Sequence, residues 1–166
     1  MIHYIYGDAT FPERITPNKK NLIVHIVNDV GAWGAGFVLS ISRRWTKPEY
    51  TYKANWTTKH LGDIDIIQVE QNIAVVNLFG QKGIRTRSFY GGSVLQRRRQ
   101  ISLQPPVRYD AIKLGLSKLK ALIKGRTDIA IHMPKIGCGL AGGDWSIVSK
   151  IIEETLSDVD VYVYEF

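Results

Sequence analysis

The chain has 166 residues, a length that suits one folded unit with a sizeable core. Hydrophobic residues make up 45% and charged residues 22%, which excludes a disordered or collagen-like chain, and no apolar run reaches the length of a membrane span. The net charge of +7 points to a polyanionic ligand, to a nucleic acid or simply to a basic surface, and the lone Cys138 excludes an internal disulfide.

The N-terminus, Met1-Ile2-His3-Tyr4, lacks the charged-then-apolar form of a signal peptide, so a reducing, cytoplasmic setting is expected. Met1 to Tyr6 is rich in β-branched and aromatic residues and reads as a first strand, ended by Gly7-Asp8-Ala9-Thr10. Asp8 either caps that turn or accepts hydrogen bonds from a base amino group. Pro12 to Asn21 reads as a loop. Leu22 to Asn28 is a near-continuous apolar run, the pattern of a central strand buried on both faces. A first glycine-rich loop follows, Asn28-Asp29-Val30-Gly31-Ala32-Trp33-Gly34-Ala35-Gly36. Phe37, Val38, Ile41 and Trp45 then recur at helical spacing, and Pro48 is expected to stop that helix. Tyr52, Trp56 and His60, four apart, predict a second helix from Pro48 to His60, closed by Gly62.

Asp63 to Glu70 and Ile73 to Phe79, joined by Gln71-Asn72, predict a β-hairpin. The stretch from Gly80 to Pro106 has no clear periodicity. It carries Lys82, Arg85, Arg87 and the triplet Arg97-Arg98-Arg99, with Phe89 and Tyr90 beside Gly91-Gly92. Tyr109, Ile112, Leu116, Leu119 and Ile123 mark an amphipathic helix stopped by Gly125. Asp128 to Met133 reads as a strand, Asp144 to Leu156 as a helix and Val159 to Phe166 as a closing strand. Strands alternating with helices argue for an α/β layered fold, and the hairpin argues for a mixed sheet. No internal repeat or linker divides the chain.

Between the strand ending at Met133 and the last helix lies Pro134-Lys135-Ile136-Gly137-Cys138-Gly139-Leu140-Ala141-Gly142-Gly143-Asp144-Trp145, a second glycine-rich loop. Glycines at this density let the backbone approach a ligand and turn its N–H groups toward it, and a helix start adds partial positive charge. This is an anion site, most naturally for phosphate, unless the loop is a plain connector. It is not a nucleoside-triphosphatase loop, because Gly143 and Asp144 stand where Lys and Ser/Thr are required. Nor is Gly34-x-Gly36 a dinucleotide fingerprint, since Leu39 occupies the place of its third glycine. No His/Cys/Asp spacing fits a metal site, and no cofactor is expected.

The order Gly7-Asp8, Val27-Asn28, Gly31-x-Trp33-Gly34-x-Gly36 and Pro134-x-Ile136-Gly137-Cys138-Gly139-Leu140 resembles the macrodomain family over nearly the whole chain. It is similar to the branch holding yeast-type ADP-ribose 1''-phosphate phosphatases and terminal ADP-ribose glycohydrolases. The resemblance implies one macrodomain spanning 1–166, a three-layer α/β/α fold with a mixed sheet, and binding of ADP-ribose. It implies that Asp8 contacts the adenine amino group and Asn28 the distal ribose. Gly34, Ala35 and Gly36 would lie beside ribose and phosphates, and Gly137, Cys138, Gly139 and Leu140 would cradle the diphosphate. Ala9, Trp33, Phe37, Pro134 and Ile136 would line the same site. His25 matches a histidine before the Asn in the phosphatase.

The glycohydrolase lysine falls on Gln81, with Lys82 next, and Ala141 stands where an aspartate follows Gly-Cys-Gly-Leu. The candidate acid or base residues are therefore His25 and Asp144, weighed against a buried core histidine and a helix N-cap. Asp29 is a further possible base. Cys138 is either a thiol activated by the loop or a small residue fitting it. His60 and His132 are read as structural. The expected activity is hydrolysis of ADP-ribose 1''-phosphate or removal of ADP-ribose from modified protein or nucleic acid. The alternatives are a non-catalytic reader of ADP-ribose, a dinucleotide-binding oxidoreductase domain, and a nucleic-acid binder using the arginine-rich stretch.

Overall fold

A computed structural model describes residues 1–84 and 105–165. The strands are β1 (Ile2–Tyr6), β2 (Lys20–Asn28), β3 (Ile64–Glu70), β4 (Ile73–Gln81), β5 (Ile129–Pro134) and β6 (Asp160–Glu165). The helices are α1 (Phe37–Arg44), α2 (Lys47–Asn55), α3 (Tyr109–Ile123) and α4 (Trp145–Thr155). Among the described residues the strands form one sheet in the order β1-β6-β5-β2-β4-β3. Every neighbouring pair is parallel except β3 with β4, the expected hairpin.

The apolar run of β2 is continuous because both its faces are covered. Leu22 and Val24 pack into one core with Ile112, Leu116, Leu119 and Ile123 of α3 and Val148 and Ile152 of α4. Ile23 and Val27 point the other way, into a core with Trp33, Val38 and Ile41 of the first loop and α1, and Tyr52 of α2. The result is three layers: α1 and α2, the mixed sheet, then α3 and α4. Each fully buried aliphatic or aromatic side chain in these cores contributes roughly 1.5–3 kcal/mol.

The structure corrects some expected boundaries. Pro48 does not stop α1, which ends at Arg44 where Trp45 turns extended, at φ −142° and ψ 131°. Pro48 lies in the first turn of α2, where the second helix was expected to begin and where its missing N–H is no loss. That helix stops at Asn55, tightens into a 3-10 turn over Trp56–Thr58 and does not reach His60. His60 is exposed, and its backbone N–H donates to Asp63 Oδ2 at 2.7 Å in a turn of its own. The Pro12 to Asn21 segment contains a short 3-10 turn, Pro12–Arg14. β4 runs on through Gly80 to Gln81, which bridges to Val107. Arg85, Arg87, Phe89, Tyr90, Gly91, Gly92, Arg97, Arg98, Arg99 and Phe166 lie outside the described residues.

Five parallel strands place five C-terminal ends along one edge of the sheet. Both glycine-rich loops leave from that edge, after the adjacent strands β2 and β5. The Asp8 turn leaves from it as well, after β1. In open α/β sheets this edge is where ligands bind.

Candidate functional site

The first loop is built around Asn28, which is 6% exposed. Its Oδ1 accepts from Val30 N at 3.0 Å, Ala32 N at 3.3 Å and the Tyr52 hydroxyl at 2.6 Å. Its Nδ2 donates to Ala32 O at 2.5 Å. Asn28 thus shapes the loop, with one amide hydrogen left over. Trp33 lies under the loop as its floor. Its indole N–H donates to Ser42 Oγ at 2.9 Å, and that hydroxyl donates to Glu49 Oε1 at 2.9 Å. Pinned in this way, the loop leaves Gly34, Ala35 and Gly36 exposed at the start of α1. Among the described residues none of their backbone N–H groups has a partner.

The second loop folds on itself. Gly143 N donates to Gly137 O at 2.7 Å, Gly142 N to Gly139 O at 3.0 Å and Cys138 N to Lys135 O at 3.2 Å. Gly137 has φ +73°, and a methyl group on Gly143 would overlap the Gly137 carbonyl, so folding itself demands these two glycines. Gly36 and Gly139 differ. A Cβ on either would meet nothing within 4 Å, and neither has positive φ. At Gly139 internal packing gives no reason for glycine, whereas a ligand backed against the main chain does; at Gly36 the backbone itself, at φ −89° and ψ −127°, favours glycine. Ile136 is buried and anchors the loop, Pro134 ends β5, and Leu140 is exposed at the tip. A hollow lined by Pro105, Val107, Arg108, Tyr109 and Asp110 adjoins the loop, with Val107 N donating to Ala141 O at 3.1 Å.

Asp144 is the N-cap of α4. Its Oδ1 accepts from Ser146 N at 2.9 Å and from Ser146 Oγ at 2.7 Å, which holds the carboxyl below its ordinary pKa. Its Oδ2 has no partner among the described residues. Its backbone N–H donates to the Tyr109 hydroxyl at 2.9 Å. Asp8 uses Oδ1 to accept from Thr10 N at 2.9 Å and Thr10 Oγ1 at 2.7 Å, with Ala9 buried between them. Asp29 is likewise engaged: its Oδ1 accepts from Gly83 N at 2.7 Å.

His25 is 2% exposed, beneath Trp33 and the half-buried Phe37, with ring centroids 5.4 and 6.1 Å away. Its Nε2–H donates to Asn77 Oδ1 at 2.5 Å, an orientation fixed by Asn77 Nδ2 donating to Pro48 O. Nδ1 has no partner among the described residues. Burial lowers its pKa to about 4, against the weaker opposing effect of Asn77. A ring neutral near pH 7 suits the reading of His25 as a buried core residue better than that of a proton donor. Cys138 suits the reading of a small residue fitting the loop rather than that of an activated thiol. Burial first, then Asp144, raises its pKa, and Sγ donates to Ile136 O at 3.3 Å. His132 is buried between Tyr164, Thr16 and Asn21, a structural role.

Sequence reasoning missed Tyr52, Asn77, Tyr109 and the Ser42–Glu49 pair. Tyr52 carried a signal only as one member of a helical row. Among the described residues no cluster of three or more His, Cys, Asp or Glu could hold a metal, and no helix is long and apolar enough to cross a membrane.

Fold and site together define a three-layer α/β protein with two glycine-rich loops side by side at the C-terminal edge of its sheet. No model of a known protein family matches the chain. A macrodomain protein from Streptomyces coelicolor is 34% identical, with a TM-score of 0.78, over 100% of this chain and 99% of that one. The chain belongs to the macrodomain family. An ADP-ribose 1''-phosphate phosphatase from Candida albicans is 29% identical over 157 residues, 93% of each chain. A chromodomain-helicase-DNA-binding protein 1-like of Danio rerio is 25% identical over 164 residues. That match takes in 97% of this chain and only 15% of the relative, and in the Mus musculus counterpart 18%.

Proposed function

We propose that residues 1–166 act as one macrodomain that binds ADP-ribose along the C-terminal edge of the sheet and hydrolyses ADP-ribose 1''-phosphate to ADP-ribose and phosphate. The observation that carries this reading is the pair of adjacent loops whose N–H groups at Gly34–Gly36 and at Gly139–Leu140 have no partner among the described residues. Such donors suit a diphosphate and add the positive end of α1. Three inter-strand steps of about 4.8 Å separate β1 from β2, roughly 14 Å, so the ligand is an extended one. Asp8 takes the adenine end, Gly137 to Leu140 the diphosphate, and Gly34 to Phe37 with Asn28 the distal ribose. The matched Candida phosphatase, alike over nearly its full length, supports the choice of substrate.

In the reaction, water adds to phosphorus, the bond to the ribosyl oxygen breaks, and that oxygen takes up a proton. The loop donors hold the phosphate and offset its charge. Asp144 orients the water through Oδ2, the oxygen its cap leaves over, and His25 forms part of the wall. Removal of ADP-ribose from a modified protein or nucleic acid at this site is a different displacement: water adds to C1'' of the distal ribose, the bond from that carbon to the macromolecule breaks, and the macromolecule leaves with a proton. A single cysteine, which forms no internal disulfide, suits a cytoplasmic setting.

A second reading, a reader that binds without turnover, draws on the neutral His25, the capped Asp144 and Ala141. Incubation with ADP-ribose 1''-phosphate, with phosphate release followed, decides between them. Release at a rate above the uncatalysed background supports the hydrolase. Saturable ADP-ribose binding without release supports the reader, and the absence of binding by folded protein overturns both.

A further inference from the structure

Arg44 closes α1, far along the helix from the first loop, yet its side chain reaches the turn after β1. One guanidinium nitrogen donates to Thr10 O and, at 2.9 Å, to Glu13 Oε1. The other donates to Glu70 Oε2 at 2.9 Å. The guanidinium plane lies 4.2 Å from the Phe11 ring centroid and 4.4 Å from that of Trp45. Trp45 is itself tied to Glu70 Oε2 at 2.9 Å through its indole N–H. Two acids, two rings and a carbonyl therefore hold one cation that is only 21% exposed. A lysine has neither the planar face to stack nor the fork to bond in three directions at once.

Thr10 is the link onward. It is 1% exposed, its carbonyl is held by Arg44, and its N–H and hydroxyl both donate to Asp8 Oδ1. Phe11 N closes the same turn on Asp8 O at 3.0 Å. The carboxylate of Asp8 thus has one oxygen fixed and the other without a partner among the described residues. Its direction is set by a chain of contacts running back to the helix that opens at the first glycine loop.

We propose that Arg44 is a positioning residue for base selection: by fixing Thr10 it aims the free oxygen of Asp8 so that the site takes adenine over bases lacking a 6-amino group. This rests on the reading of the site as one for ADP-ribose with Asp8 at the base. Adenine offers a 6-amino donor to the carboxylate, whereas hypoxanthine presents a carbonyl oxygen there and leaves the carboxylate facing a lone pair. A wandering carboxylate loses this discrimination before it loses the diphosphate contacts, which belong to other elements.

The test titrates ADP-ribose and inosine diphosphate ribose into wild type, Asp8→Asn, Arg44→Lys, Arg44→Gln and Thr10→Val, with thermal melts to establish folding. Wild type is expected to prefer ADP-ribose by about tenfold or more, one good hydrogen bond. The preference is expected to fall toward unity in Asp8→Asn and in both Arg44 variants. A merely structural role would weaken both ligands together and leave their ratio unchanged, and that result overturns the proposal. Thr10→Val removes the hydroxyl, one of the two donors that fix Asp8 Oδ1, and keeps the backbone N–H. A partial fall in the ratio is expected there, and it decides the matter should the Arg44 variants fail to fold, since an unchanged ratio refutes the proposal as well. Binding of neither ligand by folded wild type sinks the ADP-ribose reading, and this inference with it. Equal binding of both by wild type sinks only the inference.

Discussion

The phenol of Tyr52 holds Asn28 at two points, with its oxygen 2.6 Å from Asn28 Oδ1 and 2.9 Å from the Asn28 carbonyl. Burial pushes its pKa up to about 12, so the hydroxyl remains a donor at every physiological pH. The side chain comes from α2, on which no predicted ligand contact lies. Tyr52→Phe removes only the oxygen. It is expected to cost about 1 kcal/mol in urea unfolding, as one buried hydrogen bond does. ADP-ribose affinity is expected to weaken by roughly three- to tenfold, as the loop that Asn28 shapes loosens. Calorimetric titration at equal protein stability checks this. Unchanged affinity would mean that α2 does not shape the first loop.

The two buried histidines make acid pH destabilising. Burial lowers His25 to about 4 and His132 to about 3, from an ordinary value of 6.5. Between those folded values and 6.5 the unfolded chain binds protons that the native chain refuses. Stability is therefore full above about 6.5 and falls as pH drops toward 4, and for His25 the loss is on the order of 3 kcal/mol. Urea unfolding at pH 7.5 and pH 5 measures it. Imidazole resonances of both residues are expected to stay unshifted from pH 6 to 8, and phosphate release is expected to show no inflection from His25 near 6.5. An inflection there that vanished in His25→Gln would restore His25 as a proton donor.

The sequence showed most of the architecture because local patterns carried it. The apolar run of β2 marked a strand covered on both faces, and the period of Ile112, Leu116, Leu119 and Ile123 marked the buried face of α3. Both glycine loops were legible because glycine density is itself a local signal. Pro48 was read as both the stop of the first helix and the start of the second, and only the second role holds, because α1 ends earlier, at Arg44. Tyr52, Asn77 and Arg44 were invisible for another reason. Their partners lie 24, 52 and 34 residues away in sequence, and no local pattern carries such a pairing. The fate of His25 was hidden likewise. Its burial, beneath Trp33 and Phe37 among others, is what makes the ring neutral.

Asp144 carries a cap and a proposed part in hydrolysis, and two substitutions separate them. Asn caps a helix about as well as Asp, whereas Ala does not cap at all. Asp144→Asn is expected to melt near wild type while phosphate release falls at least tenfold, about 1.4 kcal/mol in the barrier. Asp144→Ala is expected to lose both stability and release. Because the Ser146 hydrogen bonds lower the folded pKa of Asp144, its charge contributes stability above the ordinary carboxylate value and loses it as pH falls through the folded one. The gap in melting temperature between wild type and Asp144→Ala should accordingly narrow in acid. Full release by Asp144→Asn would assign the residue to the cap alone.

The glycines divide by what surrounds them, and the division is testable without a crystal of the complex. Gly143 faces the Gly137 carbonyl, so Gly143→Ala forces the second loop apart. Overpacking of this kind costs about 1–3 kcal/mol. Gly36 and Gly139 face open space, so Gly36→Ala and Gly139→Ala add a methyl without a clash. Gly139→Ala is expected to fold at least as stably as wild type, since alanine restricts the unfolded chain by about 0.4–1 kcal/mol. Gly36→Ala is expected to lose some stability, because the backbone there, at φ −89° and ψ −127°, favours glycine. Both methyl groups would stand in the space proposed for the ligand. ADP-ribose affinity is expected to fall by tenfold or more in each, with the unfolding midpoint of Gly139→Ala unchanged or raised. A stability loss without an affinity loss in Gly139→Ala would reverse the assignment and make that glycine structural. Intact stability with intact affinity would move the ligand off both loops.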